Sequence, residues 1–409
     1  MKSVFVSRVH RSLDLAPASL EDYRELARRR LPRQIFDYID GGAFAEATLR
    51  ANRDDLRAVH FRQRVLRDVS TRSLTTTVLG REIALPVILA PVGFAGIFAR
   101  RAEVQAARAA ERAGVPFCES TLSICGLEEV AAVVASPVWF QLYVMKDRHY
   151  AEDLMARAQA VGCTTLVLTV DLPVVGQRYR DVRNGISGTV SAAARLRRGF
   201  DLVRHTTWVR DVALGGKPLT FGNLEKALPE ARMPADFQEW VASQFDPSVT
   251  WDDLSWIRDH WRGTIALKGI LDVDDAREAT ARGVDAIIVS NHGGRQLDDV
   301  PSSIRSLPAI ADAVGDQCEV LMDGGIRSGL DVIKALALGA RACLIGRPWA
   351  YAVAARGEAG VHHILRVIRE EMMVTLALTG VTDVTDVDRS TLSSPDPFDS
   401  PRPGKGIAP

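Results

Sequence analysis

The sequence predicts a (β/α)8 barrel, an α/β fold, with a helical segment before it and one long insertion after its fourth strand. Three observations carry that expectation. From residue 86 onward, short apolar runs rich in β-formers alternate with longer segments of helical spacing, and eight such runs can be counted. The runs are continuously apolar, the pattern of parallel strands covered on both faces. Polar and charged residues gather where the runs end, and in a barrel those ends form the face that carries catalytic groups.

The eight runs are 87–90, 116–119, 138–143, 165–171, 264–268, 285–290, 319–323 and 342–346. Their ends carry Ser120, Gln141 with Tyr143, Thr169 with Asp171, Lys268, His292, Asp323 and Arg347. The structural rival, an open doubly wound sheet, would place a G-x-G-x-x-G turn after its first strand. Here that strand is followed by Pro91, Val92, Gly93 and Phe94, which lack the pattern.

The connection from Asp171 to Lys268 far exceeds every other and exceeds ordinary loop lengths, so 176–250 reads as an insertion lying over the active face. Residues 1–85 form the helical preface, with helical spacing over 20–57 and a helix start at Ser19. The barrel occupies 86–360 and C-terminal helices 361–392, all within one domain. The tail 393–409, rich in Pro, Ser and Gly, reads as disordered.

Composition narrows the function classes. With 47% hydrophobic and 25% charged residues, the chain has ample material for a core. Its 51 basic residues balance 51 acidic ones, so no global field draws it to nucleic acid. The five cysteines show neither a paired framework nor metal-ligand spacing, which points to buried thiols and no metal site. Lys2, Arg8, His10 and Arg11 interrupt the first residues, a poor signal peptide, and no window reaches the ~18 apolar residues of a spanning helix.

A cytoplasmic location is the default, and one local feature raises the inner face of the cell membrane as an alternative. Within the insertion, 191–211 interleaves Arg195, Arg197, Arg198, Arg204 and Arg210 with Leu196, Phe200, Leu202, Val203, Trp208 and Val209. Two readings stay open: a solvated basic lid, or a peripheral contact with an anionic membrane.

The last two strand ends read Asp323-Gly324-Gly325-Ile326-Arg327 and Gly346-Arg347. Glycines let backbone N–H groups approach a phosphate, a following helix adds its positive end, and arginines neutralise the charge. Turn glycines alone are the alternative for either motif; their paired position favours a phosphate-bearing ligand. Lys268 ends an apolar strand, an odd place for a cation, and calls for an anion opposite. A neighbouring carboxylate would serve, but the phosphate site nearby favours the reduced ring of a flavin as its partner.

The most specific stretch is Ser290-Asn291-His292-Gly293-Gly294-Arg295. His292 follows a buried strand, Arg295 suits a two-pronged grip on a carboxylate, and Asp171 can stabilise His292 once it takes a proton.

Together with FDYIDGGA at 36–43, WFQLYV at 139–144, LTVDLP at 168–173, LKG at 267–269, DGGIRSG and IGR, these residues resemble the FMN-dependent 2-hydroxy-acid oxidase and dehydrogenase family. The match runs from about Leu20 to about Thr391 with every motif in order. Within it, DGGAFAEATL, GQRYRDVRNG and FDPSVTWDDLSWIRD are most similar to bacterial quinone-linked L-lactate dehydrogenases.

The resemblance implies FMN across the barrel mouth and oxidation of an L-2-hydroxy acid, with His292 as base and Asp171 as its partner. It places Arg178 and Arg295 on the substrate carboxylate and Tyr38 and Tyr143 on its carboxylate and hydroxyl. Pro91, Val92 and Gly93 fall beside the flavin, as do Ser120, Gln141, Thr169, Lys268 and Ser290. Asp323, Gly324, Gly325, Arg327, Gly346 and Arg347 fall at ribityl and phosphate positions.

Gly93, alanine in many relatives, and Leu122, a large aromatic in glycolate oxidase, imply an altered pocket that suits lactate but also mandelate. The resemblance further implies a quinone acceptor and a homotetramer. An oxygen-using oxidase and an (S)-mandelate dehydrogenase are the alternatives; an FMN-barrel isomerase is the remote one.

Overall fold

The computed structural model describes residues 17–184, 199–216, 218–225 and 243–398. Strands β1 (Thr76–Val78) and β2 (Arg81–Ile83) form an antiparallel hairpin. The helical preface expected over 1–85 therefore also contains a sheet element. Two three-residue strands are too short to leave a periodic signal.

Eight further strands make the barrel: β3 (Val87–Leu89), β4 (Cys118–Ser120), β5 (Trp139–Leu142), β6 (Thr165–Thr169), β7 (Thr264–Ile270), β8 (Ala286–Val289), β9 (Glu319–Met322) and β10 (Ala342–Ile345). All pair in parallel, each with its sequence neighbour, and β10 returns to pair with β3. Between β3 and β4 the sheet closes through one bridge, Leu89 to Phe117, where the Leu89 N–H donates to the Pro116 carbonyl at 2.9 Å.

The apolar runs explain this architecture because every side chain of β3, β5, β6, β8 and β10 is buried. Alternate residues serve two cores. Ile88, Ala90, Cys118, Trp139, Val167, Ala266, Ile288, Leu321 and Leu344 fill the barrel interior. Val78 and Ile83 join that cluster. The hairpin thus plugs the end of the barrel opposite the strand C-termini, where the Leu79 N–H donates to the Glu319 carboxylate at the start of β9. The outward residues pack beneath the surrounding helices.

Helix α1 (Leu20–Arg30) is capped at Ser19, whose hydroxyl accepts the Asp22 N–H while Asp22 reaches back, a reciprocal capping box. It is followed by α2 (Arg33–Asp40) and α3 (Ala47–Ala58). Long helix α4 (Arg347–Thr379) is interrupted at Arg356 and Gly357 and packs against α1.

The described parts of the insertion re-enter the body at several points. Trp208 donates to the Ile97 carbonyl at 2.8 Å, Phe221 packs edge-on to Phe94 at 4.4 Å, and the Asn223 amide donates to the Ser120 carbonyl at 3.0 Å. Arg195, Leu196, Arg197 and Arg198 lie outside the described residues, as does the tail beyond residue 398. Among the described residues no helix is long and apolar enough to cross a membrane, and all five cysteines are free and buried.

Candidate active site

The C-terminal strand ends and their loops surround a cavity of about 820 Å³. Its wall includes His292, Arg295, Arg178, Tyr38 and Tyr143, together with the 323–327 loop and the Gly346-Arg347 turn. Pro91, Val92, Gly93, Thr169 and Lys268 also line it. Ser120, Gln141, Asp171 and Ser290 stand just behind the wall and are bonded to residues at or near it.

His292 takes a left-handed backbone conformation at φ 56°, in the tight turn after β8. Its N–H donates to Ser290 Oγ at 3.0 Å, and its Nδ1 lies 2.9 Å from Asp171 Oδ1. With Nδ1 committed to Asp171, Nε2 is the nitrogen left for chemistry. Asp171 can come this close because Gly269 stands across from it at φ 118°; a Cβ there would lie 2.5 Å from the Asp171 Cβ. Burial would raise the Asp171 carboxyl, but His292 and Lys268 outweigh it and hold it below its usual range. It is a carboxylate suited to stabilising a neighbouring cation.

Lys268 has its anion. Nζ pairs with Asp323 Oδ2 at 2.8 Å and donates to Ser290 Oγ at 2.8 Å. The carboxylate, which the sequence reading set second to a flavin, is therefore present, and Lys268 also lines the cavity. Burial opposes its charge, while Asp323 and Asp171 more than restore it and raise its pKa.

At the substrate end, two arginines share one aromatic ring. The guanidinium of Arg295 lies 4.9 Å and that of Arg178 5.9 Å from the Tyr38 centroid. Arg295 donates to the Tyr38 and Gly41 carbonyls at 2.6 and 3.1 Å. Burial, then repulsion from Arg178, pushes Arg295 down to about 10. Among the described residues Arg178 has one ion pair, a long one of 3.7 Å to Asp181, and its buried Nε has no partner. Two cations that disfavour each other around a cavity define a site for an anion. Burial raises the Tyr143 hydroxyl, with Asp171 adding to the effect, so it stays a protonated donor.

Arg347 donates to the Ile39, Gly293 and Gly41 carbonyls at 2.9, 2.9 and 2.8 Å, sharing the Gly41 carbonyl with Arg295, and Arg327 donates to the Ile326 carbonyl at 2.8 Å. Among the described residues neither pairs with a carboxylate. Burial pushes Arg347 down to about 9 and lowers Arg327 as well. Gly324 and Gly325 sit at φ 93° and 90°, and a Cβ on Gly325 would meet the Asn52 carbonyl at 2.2 Å. Only glycine makes this backbone cradle.

Sequence reasoning missed several wall residues. Phe94, Leu122, Leu172, Val175 and Phe245 form the apolar part of the substrate end; of these it weighed only Leu122. Phe245 returns from the end of the insertion and meets Tyr143 edge-on at 5.3 Å, a contact with no local signature. Gln296 was also missed. It donates to the Asp171 and Val174 carbonyls at 2.9 and 3.0 Å and accepts the Gly176 N–H at 3.1 Å. It therefore ties the Asp171 loop to the His292 loop.

Comparison with known proteins agrees with this geometry. The profile of FMN-dependent dehydrogenases matches residues 27–394, and the chain belongs to that family. An L-lactate dehydrogenase of Caulobacter vibrioides is 56% identical over 376 residues, covering 92% of this chain and 97% of that one. Its counterpart in Yersinia pestis is 51% identical, covering 91% and 97%. Among solved structures, the monotopic membrane protein (S)-mandelate dehydrogenase superposes with a TM-score of 0.86 at 37% identity, covering 92% and 99%. A mandelate oxidase superposes at 0.78 and 39%, covering 93% and 98%.

The residues present fit FMN. Besides the glycine cradle and two arginines without carboxylates, Gln141 Nε2 and Asp323 Oδ1 are buried and lack partners among the described residues. Such orphans are costly unless a ligand meets them.

Proposed function

We propose that the protein oxidises L-lactate to pyruvate and passes the electrons to a quinone or similar acceptor. The observation that carries this reading is the His292–Asp171 dyad, 2.9 Å apart, beside two arginines stacked on one tyrosine at the mouth of a flavin-sized cavity. FMN, when bound, accepts the two electrons that leave the substrate.

The chain's own residues do the rest. Arg178 and Arg295 take the carboxylate, and their mutual repulsion falls as its charge enters between them. Tyr143 donates to the substrate oxygen, and Tyr38 backs both arginines. Nε2 of His292 takes a proton, either the α-proton or that of the hydroxyl, and Asp171 stabilises the imidazolium that results. Holding carboxylate, hydroxyl and base at three fixed points selects one enantiomer.

At the cofactor end, Arg327, Arg347 and the 324–325 backbone would hold the phosphate. Asp323 would serve the ribityl chain, and Gln141, Thr169 and Ser120 the ring, with Pro91, Val92 and Gly93 against it. Lys268, backed by Ser290, would supply the positive charge that stabilises a reduced flavin bound there.

Lactate is favoured over mandelate by the 51–56% identity to L-lactate dehydrogenases over nearly the whole chain. Membrane contact draws support from Phe200, Val203 and Leu214, all well exposed, near Arg204 and Arg210; it would put the enzyme on the inner face of the cell membrane. A homotetramer completes the reading.

The test is anaerobic bleaching of the flavin by a panel of L- and D-2-hydroxy acids, followed by reoxidation with oxygen or a soluble quinone. L-lactate is expected to bleach fastest and quinone to reoxidise faster than oxygen. Rapid stoichiometric peroxide would make it an oxidase, and faster bleaching by (S)-mandelate would reassign the substrate. Failure of every hydroxy acid would remove it from this chemistry. Release from washed membranes by salt, and light scattering, check location and assembly.

A further inference from the structure

Arg178 is weakly held for a residue that must meet a carboxylate. Among the described residues its one ion pair is long and its Nε is unpartnered, and Arg295 repels it. Two residues on, in the short helix Tyr179–Asn184, Arg180 is bound firmly. Its Nη1 donates to Asp40 Oδ2 at 2.9 Å and its Nη2 to Glu46 Oε2 at 2.7 Å. Asp40 is buried at the end of α2, two residues past Tyr38. Its carboxylate accepts four bonds: Arg24 Nε at 2.6 Å, Arg24 Nη2 at 2.9 Å, Tyr351 Oη at 2.7 Å and Arg180.

We infer that Arg180 and Asp40 are a positioning pair that fixes Arg178 over the substrate cavity, a step that rests on reading Arg178 as a carboxylate-binding residue. The geometry makes Asp40 the common anchor of both sides of that site. The backbone around it, through the carbonyls of Tyr38 and Gly41, holds Arg295. Its side chain, through Arg180, holds the helix that begins beside Arg178.

Repulsion between Arg178 and Arg295 would open this arrangement before substrate arrives, and the Arg180 fork opposes that movement. Without it, the Phe44 N–H still donates to the Gln177 carbonyl at 2.8 Å, the Asn184 amide to the Asp37 carboxylate at 2.7 Å, and Phe44 meets Tyr179 edge-on at 5.9 Å. None of these sets a cation between two carboxylates as the Arg180 fork does. Because Arg180 is not among the residues lining the cavity, its loss acts indirectly, through Arg178 and through the Asp40 anchor that it bonds.

The experiment compares R180A, R180K and R178M in the flavin-loaded enzyme. It measures KM and kcat for L-lactate, the dissociation constant of pyruvate from its perturbation of the flavin spectrum, flavin content, and thermal melting. R180A is expected to keep its flavin, raise KM and the pyruvate constant by about tenfold or more, and change kcat less. R180K, which keeps the charge but loses the fork, should recover part of the loss.

If R178M weakens pyruvate binding while R180A leaves it unchanged, the positioning role is overturned. If R178M also leaves it unchanged, the reading of Arg178 itself fails. Should R180A lose its flavin, R180K and R180Q decide: a graded loss of pyruvate affinity supports the pair, and a flat series overturns it.

Discussion

Replacing Asp171 with Asn isolates the charge of the dyad while keeping its shape. The Asn carbonyl can still accept from His292 Nδ1, 2.9 Å away, and its amide takes the place of an Oδ2 that has no partner. What disappears is the attraction between carboxylate and imidazolium. With charge centres about 4 Å apart and an effective dielectric of about 20, that attraction amounts to about 4 kcal/mol. It exists only after His292 has taken a proton, so it lowers the barrier and not the energy of bound lactate.

At about 1.4 kcal/mol per factor of ten, and with solvent relaxation returning part of the loss, the limiting rate of flavin reduction should fall by about 10²- to 10³-fold. The assay is anaerobic stopped-flow mixing with L-lactate, which separates that rate from the apparent substrate dissociation constant. A rate within about threefold of the parent, or a loss lying wholly in the dissociation constant, would refute the role given to Asp171.

Other perturbations address the remaining parts. R347M removes a buried cation that bonds three carbonyls; FMN affinity should drop by about 100-fold or more, read from the fluorescence of released flavin, and unchanged affinity would move the phosphate elsewhere. Q296L strands the Asp171 and Val174 carbonyls and the Gly176 N–H. It should cost about 2–4 kcal/mol in chemical denaturation, and a loss under about 1 kcal/mol would mean that water replaces the amide.

Acid should act through Asp40. Burial alone would raise its carboxyl, but the bonds from Arg24, Tyr351 and Arg180 hold it well below 3.8. Its folded pKa is thus the lower one, so its stabilisation is whole above pH 3.8 and is lost as pH falls through the folded value. D40N should flatten the stability curve below about pH 4; an unchanged acid limb would remove Asp40 from that role.

Much of this architecture was legible because barrel strands advertise themselves: a run such as 165–169, buried at every position, can be read without its neighbours. His292, Arg295 and the 323–327 loop were legible for the same reason, since each follows such a run directly. Contacts between distant segments were not. Phe245 reaches Tyr143 across the insertion, Arg180 reaches Asp40 across 140 residues, and Lys268 finds Asp323 on a strand two places away. Composition at either end of those contacts is ordinary, and only three-dimensional closure brings them together. The hairpin β1–β2 escaped notice for want of length.

The short segment 38–41 also has a consequence in time. It leaves the ribosome early, yet the side chains that grip it, Arg295, Arg347 and Tyr351, come 257, 308 and 311 residues later. Contacts of such span carry a large loop-closure cost and form late. The mouth of the barrel is therefore assembled only when synthesis is nearly finished, and a stalled or truncated chain lacks the arginine that would grip the phosphate. Retention of FMN would therefore report a chain completed at least through Arg347.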